Sequence, residues 1–393
     1  MHIHTVSPSE TVFGIARKYG VSPTKIIENN RLANPDRLTV GEELLILTPT
    51  KTYTVRNGDT LERIAKRFGI SKNTILRNNP ALFGSEKVYP EEILALKYDT
   101  PTHGIAVLNG YCYNGCTAEQ INLALPYINY LTVSGAVLTA GGIREIFDTE
   151  KVAEITKKSG KIPLYRIYDR RGASEICKVA DEYIESLAVT AKGKGFSGIT
   201  LAAHKANESP DFEDFLFKLK KRLLEDGLSL FLEIDANSPI RYTEIPDAQI
   251  LLYEKCALPK IPDFTSGEAQ VFGEFANKAD SSRAFIDISP FAYCDGEQIT
   301  KSDAIAQARK YGREIKHDNE SLVCYFDTES RRRDGKKSSR TIFEAMENTK
   351  AKLDLAGELG YMGISFDIMR SATSDIMMMN SLFLCGGDFL PLI

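Results

Sequence analysis

The sequence predicts an α/β protein in three parts: two small βααβ units, then a (β/α)8 barrel. Three observations predict it. Residues near the N-terminus recur at a fixed offset, 49 from Thr5 to Thr54 and again from Asn30 to Asn79. From Gly104 onward, short apolar runs alternate with amphipathic helical stripes to the C-terminus, over a length that suits a barrel. Within that series, Gly195 to Asn207 (GFSGITLAAHKAN) sets the alternating residues Ile199, Leu201 and Ala203 after a Gly-Phe-Ser-Gly turn, as in a strand entering a buried sheet.

Composition narrows the function classes. The 393 residues suffice for two or three domains, and 43% hydrophobic with 26% charged residues describes an ordinary globular chain. A net charge of −4 gives no electrostatic case for nucleic acid or an anionic membrane. No apolar run reaches the ~18 residues of a membrane span; the best candidate, Ile376 to Leu384, is short and contains Asn380 and Ser381. Met1-His-Ile-His-Thr has no basic stretch followed by an apolar one, so no secretory signal peptide is expected. The seven cysteines are odd in number and lack CxxC spacing, with Cys112 and Cys116 the closest pair. They read as reduced, mostly buried thiols rather than a disulfide framework or zinc site, and neither a metal nor a cofactor is expected. With no Trp, any sugar platform must use Tyr or Phe.

In each N-terminal unit, assigned to residues 1–49 and 50–99, the order reads strand, helix, helix, strand. Val12, Ile15, Ala16 and Tyr19 share one helix face, and Gly20 and Gly69 stand at the helix ends as C-caps. The second unit carries Tyr53-Thr-Val-Arg-Asn-Gly-Asp-Thr-Leu, Ile75-Leu-Arg-Asn-Asn-Pro-Ala-Leu and Tyr89-Pro-Glu-Glu-Ile-Leu. The first has Ser9-Glu10 in place of Gly-Asp and keeps Asn29-Asn30-Arg-Leu32 and Val40-Gly41-Glu42. These units resemble LysM modules, which bind N-acetylglucosamine-containing glycans in peptidoglycan or chitin. The resemblance implies contacts near Glu10, Thr11, Asn30, Arg31 and Leu32 in the first unit. In the second it implies Asp59, Thr60, Asn79, Pro80, Ala81 and Leu82. A shallow groove of backbone amides beside an apolar residue suits an acetamido group, and two weak sites in tandem act by avidity. The plainer reading of Asn29–Asn30 and Asn78–Asn79 is helix capping.

After the short linker Tyr98-Asp-Thr-Pro-Thr102, the barrel is assigned to residues 103–393. Its strands are expected at Gly104–Asn109, Tyr127–Val137, Lys161–Tyr168, the Gly195–Asn207 stretch, Leu228–Asp235, Ala248–Tyr253, Arg283–Ser289 and Met362–Asp367. One helix is marked by Ile176, Val179, Ala180, Tyr183, Ile184 and Leu187. The next has Ser209 as N-cap, Pro210 at its first position, the stripe Phe212, Phe215, Leu216, Leu219 and Leu223, and Gly227 at its end.

The barrel resembles glycoside hydrolase family 18. The resemblance rests on Asp247 to Glu254, Phe285 to Tyr293, Ile342-Phe343-Glu344 and Gly360-Tyr-Met-Gly363-Ile-Ser-Phe366-Asp367, as well as on the fourth strand. Two LysM modules ahead of such a barrel resemble the layout of spore cortex-fragment N-acetylglucosaminidases. The family's fourth strand reads roughly D-G-x-[DN]-[IL]-D-[FW]-E. Here Ser197, Thr200, Ala202 and His204 stand at its acidic or amide positions, the last in place of the proton-donating Glu. Of the family's chemistry only Tyr253 is kept; Glu254 replaces an Asp, and Asp367 replaces the Trp that floors the sugar subsite. The family mechanism needs the Glu as acid and the Asp two residues earlier to orient the substrate's acetamide. Losing the acid alone costs roughly 10²–10⁴-fold. The expectation is therefore a catalytically inactive barrel, with no catalytic residue assigned.

Strand alternation places Arg166, Tyr168, His204, Glu233, Asp235, Asp287 and Asp367 as candidate lining of the barrel top, and the family resemblance adds Tyr253 and Glu254. Two readings follow. One is a new polar pocket, or a carboxylate pair such as Glu233 and Asp235 in acid/base work. The other, preferred, is an internal ion-pair network in which Arg166 satisfies Glu233 or Asp287. The Arg331-Arg-Arg-Asp-Gly-Lys-Lys337 stretch reads as a basic hairpin with an Asp-Gly turn.

The expected function is peptidoglycan binding in the spore coat or cortex, by a protein made in the mother-cell cytoplasm, with the barrel as scaffold or lectin and spore-layer proteins as further partners. The alternative is an N-acetylglucosaminidase using a relocated acid, Glu254, Glu208 or Asp235.

Overall fold

The fold is taken from a computed structural model that describes residues 1–82, 87–98, 103–104, 107–139, 142–169, 177, 180–202, 211–235, 249–253, 269–278, 280–332, 335–371 and 373–382. The first repeat runs β1 (His2–Thr5), α1 (Val12–Tyr19), α2 (Pro23–Asn30), β2 (Glu43–Ile46), with β1 and β2 antiparallel. The second runs β3 (Pro49–Thr54), α3 (Leu61–Phe68), α4 (Lys72–Asn78), β4 (Ile93–Tyr98), paired the same way. Thr11 and Thr60 cap α1 and α3 by accepting from Gly14 N and Arg63 N. Gly20 and Gly69 end those helices at φ 66° and 67°, where a Cβ would be strained. The apolar positions coincide: Val12, Ile15, Ala16, Ile26, Leu44 and Ile46 fill one core, and Leu61, Ile64, Ala65, Ile75, Leu94 and Leu96 fill the other.

The barrel begins with β5 (Val107–Cys112), α5 (Ala118–Ala124), β6 (Tyr130–Thr139), β7 (Gly142–Glu145), α6 (Glu150–Lys158) and β8 (Ile162–Asp169). It continues through α7 (Ala180–Gly193), β9 (Gly198–Ala202), α8 (Asp211–Glu225), β10 (Ser229–Asp235), β11 (Gln249–Tyr253), α9 (Ala269–Lys278) and β12 (Ala284–Asp287). An inserted unit follows: β13 (Ala292–Cys294), β14 (Glu297–Gln298), α10 (Lys301–Lys310), β15 (Lys316–Asp318), β16 (Val323–Arg332) and β17 (Gly335–Glu344). Then come α11 (Met346–Glu358), β18 (Gly363–Asp367) and α12 (Thr373–Leu382). Strands β5, β6, β8, β9, β10, β11, β12 and β18 pair in parallel in that order, and β5 joins both β18 and β6, closing an eight-stranded ring. All eight expected strands are present, each within three residues of its expected start. The first is described as Val107–Cys112, running past the expected end at Asn109 to Tyr111 and Cys112, both buried. The α8 stripe is the expected one, with Phe212, Phe215, Leu216, Leu219 and Leu223 all buried; Ser209 and Pro210 lie outside the described residues.

The insertion between β12 and β18 is an antiparallel sheet of order β14-β13-β17-β16-β15 with its own small core, including Ala304, Ala308, Phe326 and Phe343. The expected basic hairpin joins β16 and β17, with Arg332 opposite Gly335.

The first repeat is docked on the barrel. Leu44 and Ile46 of β2 point into the repeat's own core, while Leu45, with Leu47 just beyond, joins the barrel core. Ile315 N donates to Val40 O at 2.9 Å, and a Cβ on Gly41 would lie 1.9 Å from Ile315 O. Only glycine permits so close an approach at φ 81°. Arg309–Glu42 (3.0 Å) and Arg31–Glu119 (2.9 Å) add ion pairs across the same boundary. The second repeat joins in through Tyr127, whose hydroxyl donates to Arg77 O at 2.9 Å.

Candidate functional site

Alternation sorts the barrel strands into two faces. Leu131, Val133, Ile199, Leu201, Leu232, Ile286 and Phe366 belong to the large core under the helices. Tyr111, Tyr130, Leu164, Phe231 and Phe285 form a second cluster inside the ring, with Tyr130 and Phe231 edge to face at 5.1 Å. The next inward positions along the strands are Arg166, Thr200, Ala202, Glu233, Asp287 and Asp367, all polar but Ala202, at the carboxyl ends where barrel sites form.

Arg166 and Glu233 dominate this layer. The guanidinium donates from Nε to Glu233 Oε2 and from Nη2 to Oε1, both at 2.6 Å, a two-pronged pair. Nη1 donates to Ser134 Oγ at 3.0 Å, and the Tyr111 hydroxyl donates to Glu233 Oε2 at 3.1 Å. Tyr113 and Tyr168 place their rings 5.8 and 5.7 Å from the guanidinium carbon. The pair arches over the fourth barrel strand: Arg166 lies opposite Thr200 in the β8–β9 register, and Glu233 opposite Ala202 in β9–β10. Thr200 Oγ1 is buried and finds no hydrogen-bond partner among the described residues. Burial works against the Arg166 charge, but the facing Glu233 carboxylate outweighs it and holds the guanidinium firmly protonated. Burial, followed by the Glu233 charge, pushes the Tyr111 hydroxyl well up, so it serves as a donor.

A second group lies on β12 and β18. Asp287 Oδ1 accepts from Ser289 Oγ at 2.6 Å and from Ser289 N at 3.0 Å, and Asp367 N donates to Ser289 Oγ at 2.7 Å. Asp367 Oδ1 accepts from Met369 N at 2.8 Å, and its Oδ2 pairs with Arg370 Nε at 2.9 Å. Burial raises Asp287 to about 6, against which the Ser289 hydrogen bonds pull down. Burial also raises Asp367.

The expected lining residues therefore fall into these two groups. Tyr253 and Asp235 close their strands, with only their backbone described, opposite each other in register. His204, Glu208 and Glu254 lie outside the described residues. Ser197 precedes β9, its carbonyl accepting from Ser229 N at 3.1 Å. Sequence reasoning misses Tyr111, Ser134 and Ser289. Inward alternation along β5 signals Tyr111. A register shift between Ser134 and Ala136 breaks the alternation along β6 and hides Ser134.

In the repeats the expected glycan contacts take defined places. Asn30 Nδ2 donates to Ile26 O and Leu45 O, both at 2.9 Å, and its Oδ1 accepts from Leu45 N at 2.8 Å. Asn79 repeats this with Ile75 O, Ala95 O and Ala95 N, and also accepts from Lys25 Nζ at 3.0 Å. Both amides tie the second helix to the last strand. Glu10 Oε2 bonds His4 Nε2 and accepts from Ser7 N, each at 2.8 Å. Asp59 Oδ2 accepts from the Tyr53 hydroxyl (2.6 Å) and Arg56 N (2.8 Å). A long acid on a short ring nitrogen in one copy thus replaces a short acid on a long phenol in the other, and the loop is kept. Ser9 holds φ 67° where Gly58 holds 81°. Thr11, Thr60 and Ala81 are exposed, Pro80 and Leu82 buried, and Leu32 half-buried against its own core. Arg31 is turned toward the barrel by Glu119.

Residues 4–47 and 53–90 match the LysM domain profile, so the two repeats are LysM domains. No curated relative matches the chain. Among solved structures, the spore cortex-lytic enzyme SleL of Bacillus megaterium QM B1551 superposes with a TM-score of 0.74 at 19% identity, covering 97% of both chains. SleL of Bacillus cereus gives 0.72 at 20% identity, covering 97% of this chain and 98% of that one. A GH18 chitinase of Cycas revoluta in complex with (GlcNAc)3 gives 0.54 at 13% identity, covering 70% of this chain and 99% of its own. The barrel thus has the fold of glycoside hydrolase family 18, and the superposition on the SleL structures spans nearly the whole chain.

Proposed function

We propose that the protein binds N-acetylglucosamine-containing cell-wall glycan through its LysM domains and that its barrel does not hydrolyse it. The observation that carries the second half is the Arg166–Glu233 pair. It sits over the strand where a family 18 enzyme carries its acids, and Ala202 lies at the position of the acetamide-orienting Asp. A buried, two-pronged ion pair with Tyr111 and Ser134 as further partners has little tendency to release a carboxyl for proton transfer. The barrel then serves as scaffold or lectin. The likeness to spore cortex-lytic enzymes supports a place at the spore coat or cortex, with peptidoglycan as the partner and spore-layer proteins as additional ones.

Within the glycan-binding half, the second LysM domain is the principal reader. Its Thr60 and Ala81 are exposed, whereas Arg31 of the first domain is held against α5 by Glu119. Ala81→Arg puts a bulky charge on that surface without touching a buried residue. Retention of the full-length variant on insoluble peptidoglycan is expected to fall at least several-fold; unchanged retention would count against this assignment.

One observation favours a second reading, a hydrolase with a non-standard acid. Asp287 lies inside the barrel with a carboxyl raised to about 6, a value suited to a general acid. If reducing ends are released from glycan, Asp287→Asn abolishes the release under this reading and leaves it intact if another residue is the acid.

A further inference from the structure

An open cleft of about 270 Å3 lies where the first LysM domain meets the helix of the inserted unit. One wall is the chain after α2, Arg37 to Val40, with Pro8 beside it. The other is the last turn of α10, Ala308 and Arg309, with Gly312 to Glu314 just past its end. The positions assigned to glycan contact in that domain, Glu10, Thr11, Asn30, Arg31 and Leu32, do not line it.

Three guanidiniums from two domains, Arg37, Arg309 and Arg313, border the cleft against a single carboxylate, Glu314. Arg37 and Arg313 are exposed, and among the described residues neither side chain forms a hydrogen bond or ion pair. Asp327, whose carboxyl feels the Arg313 charge, is already held by Arg340 through bonds of 2.7 and 2.9 Å. Arg309 gives Nη2 to Glu42 at 3.0 Å, while its Nε is buried without a partner among the described residues. Thr39 is 5% exposed, and its hydroxyl is likewise buried and unpartnered there. Folded proteins seldom leave such groups unmatched, so their presence in the wall of a cationic cleft calls for a ligand that accepts hydrogen bonds. Pro8, Leu38, Val40 and Ala308 supply an apolar lining for that ligand's carbon skeleton.

The volume suits one substituted sugar ring or a dipeptide rather than a folded partner. A planar guanidinium matches a carboxylate through two parallel bonds, whereas neutral N-acetylglucosamine offers nothing that uses three cations. We propose that this cleft binds the carboxylate of the acid-substituted amino sugar in wall glycan, or of the short peptide attached to it. The inference rests on the wall-glycan reading above and names the acidic part of that polymer as a second contact. Because Arg37 and Arg313 come from different domains, a bound carboxylate also bridges the LysM domain and the insertion. Sequence spacing gives no hint of the site, since its two walls lie far apart along the chain.

The test titrates the full-length protein by calorimetry with N-acetylmuramic acid and with muramyl dipeptide. The methyl ester of N-acetylmuramic acid, inorganic phosphate and an N-acetylglucosamine trimer serve as comparisons. A free acid is expected to bind at one equivalent, more weakly as salt rises, with its ester weaker by about tenfold or more. Binding of N-acetylmuramic acid assigns the sugar's own carboxylate, and binding of the dipeptide alone assigns the peptide's. Arg37→Glu and Arg313→Glu should each weaken binding of the acid by about tenfold or more and leave binding of the trimer unchanged. If a variant misfolds by circular dichroism, the wild-type contrast between acid and ester decides. Absence of saturable binding by either acid, equal affinity for acid and ester, unchanged affinity in both folded variants, or tighter binding of phosphate each overturns the proposal. Wild-type protein that binds the acid but not the trimer contradicts the wall-glycan reading alone, so the two failures are distinct.

Discussion

At the residue scale the barrel interior turns on one guanidinium and one carboxylate. Removing a single member strands the other: Glu233→Ala leaves Arg166 buried without its counter-charge and is expected to cost about 3–5 kcal/mol in denaturant unfolding. Replacing both, as Arg166→Met with Glu233→Leu, should recover most of that loss, since buried pairs often exchange for apolar residues at little cost. A double variant as unstable as the single one would mean that Tyr111 and Ser134 carry the network instead. Asp287 gives a pH signature. Its folded value of about 6 lies above its ordinary 3.8, so the folded state holds the proton more tightly than the unfolded chain. The stability from this group is therefore full below about pH 4 and is lost as pH rises through about 6, by about 3 kcal/mol at 1.36 kcal/mol per unit. The wild-type minus Asp287→Asn difference in unfolding free energy, measured from pH 4 to 7, should fall by that amount; a flat difference contradicts the burial argument. The Arg166–Glu233 pair is legible in the sequence as one of two pairings, because period-two alternation places inward residues but cannot choose between carboxylates on different strands. The Asn30 and Asn79 side chains show the reverse. Their repeat spacing marks them as important, while their use in tying helix to strand emerges only in three dimensions.

At the element scale the informative segment is β2. Leu44-Leu-Ile-Leu47 is apolar at consecutive positions, the pattern of a strand covered on both faces. The counterpart β4 buries Leu94, Ala95 and Leu96 and exposes Ile93 and Lys97 at either end. Ile93-Leu-Ala-Leu96 is apolar throughout as well, so it is the packing of Leu45 and Leu47 in the barrel core that distinguishes the docked domain from its twin. Leu45→Ala should destabilise by about 2–5 kcal/mol and lower the barrel's unfolding midpoint, because Leu45 belongs to the barrel core. A barrel transition that stays in place while the LysM domain loosens would show the domain to be tethered rather than integrated. The expected linker at residues 98–102 is thus only one of the connections: Gly41, Arg31 and Tyr127 fasten the LysM pair to the rest directly.

At the scale of the whole molecule, the layout is legible in the sequence because each part carries a different period. The LysM pair repeats every 49 residues, the barrel strands alternate every two, and the helices every three to four. The inserted sheet yields only scattered motifs to sequence reading, since its strands pair through long-range contacts that no local period reports. With the LysM domains packed against the barrel, the proposed function would have glycan at the second domain presented from a fixed position rather than a flexible arm. The central claim is that the protein binds wall glycan and leaves it whole. It is tested most directly by incubating the full-length protein with spore cortex fragments and N-acetylglucosamine oligomers between pH 4 and 8 and following new reducing ends. The account predicts retention on the glycan with no release above the protein-free control. Release that scales with enzyme concentration, and disappears in Asp287→Asn, would contradict it and identify the barrel as a hydrolase with a displaced acid.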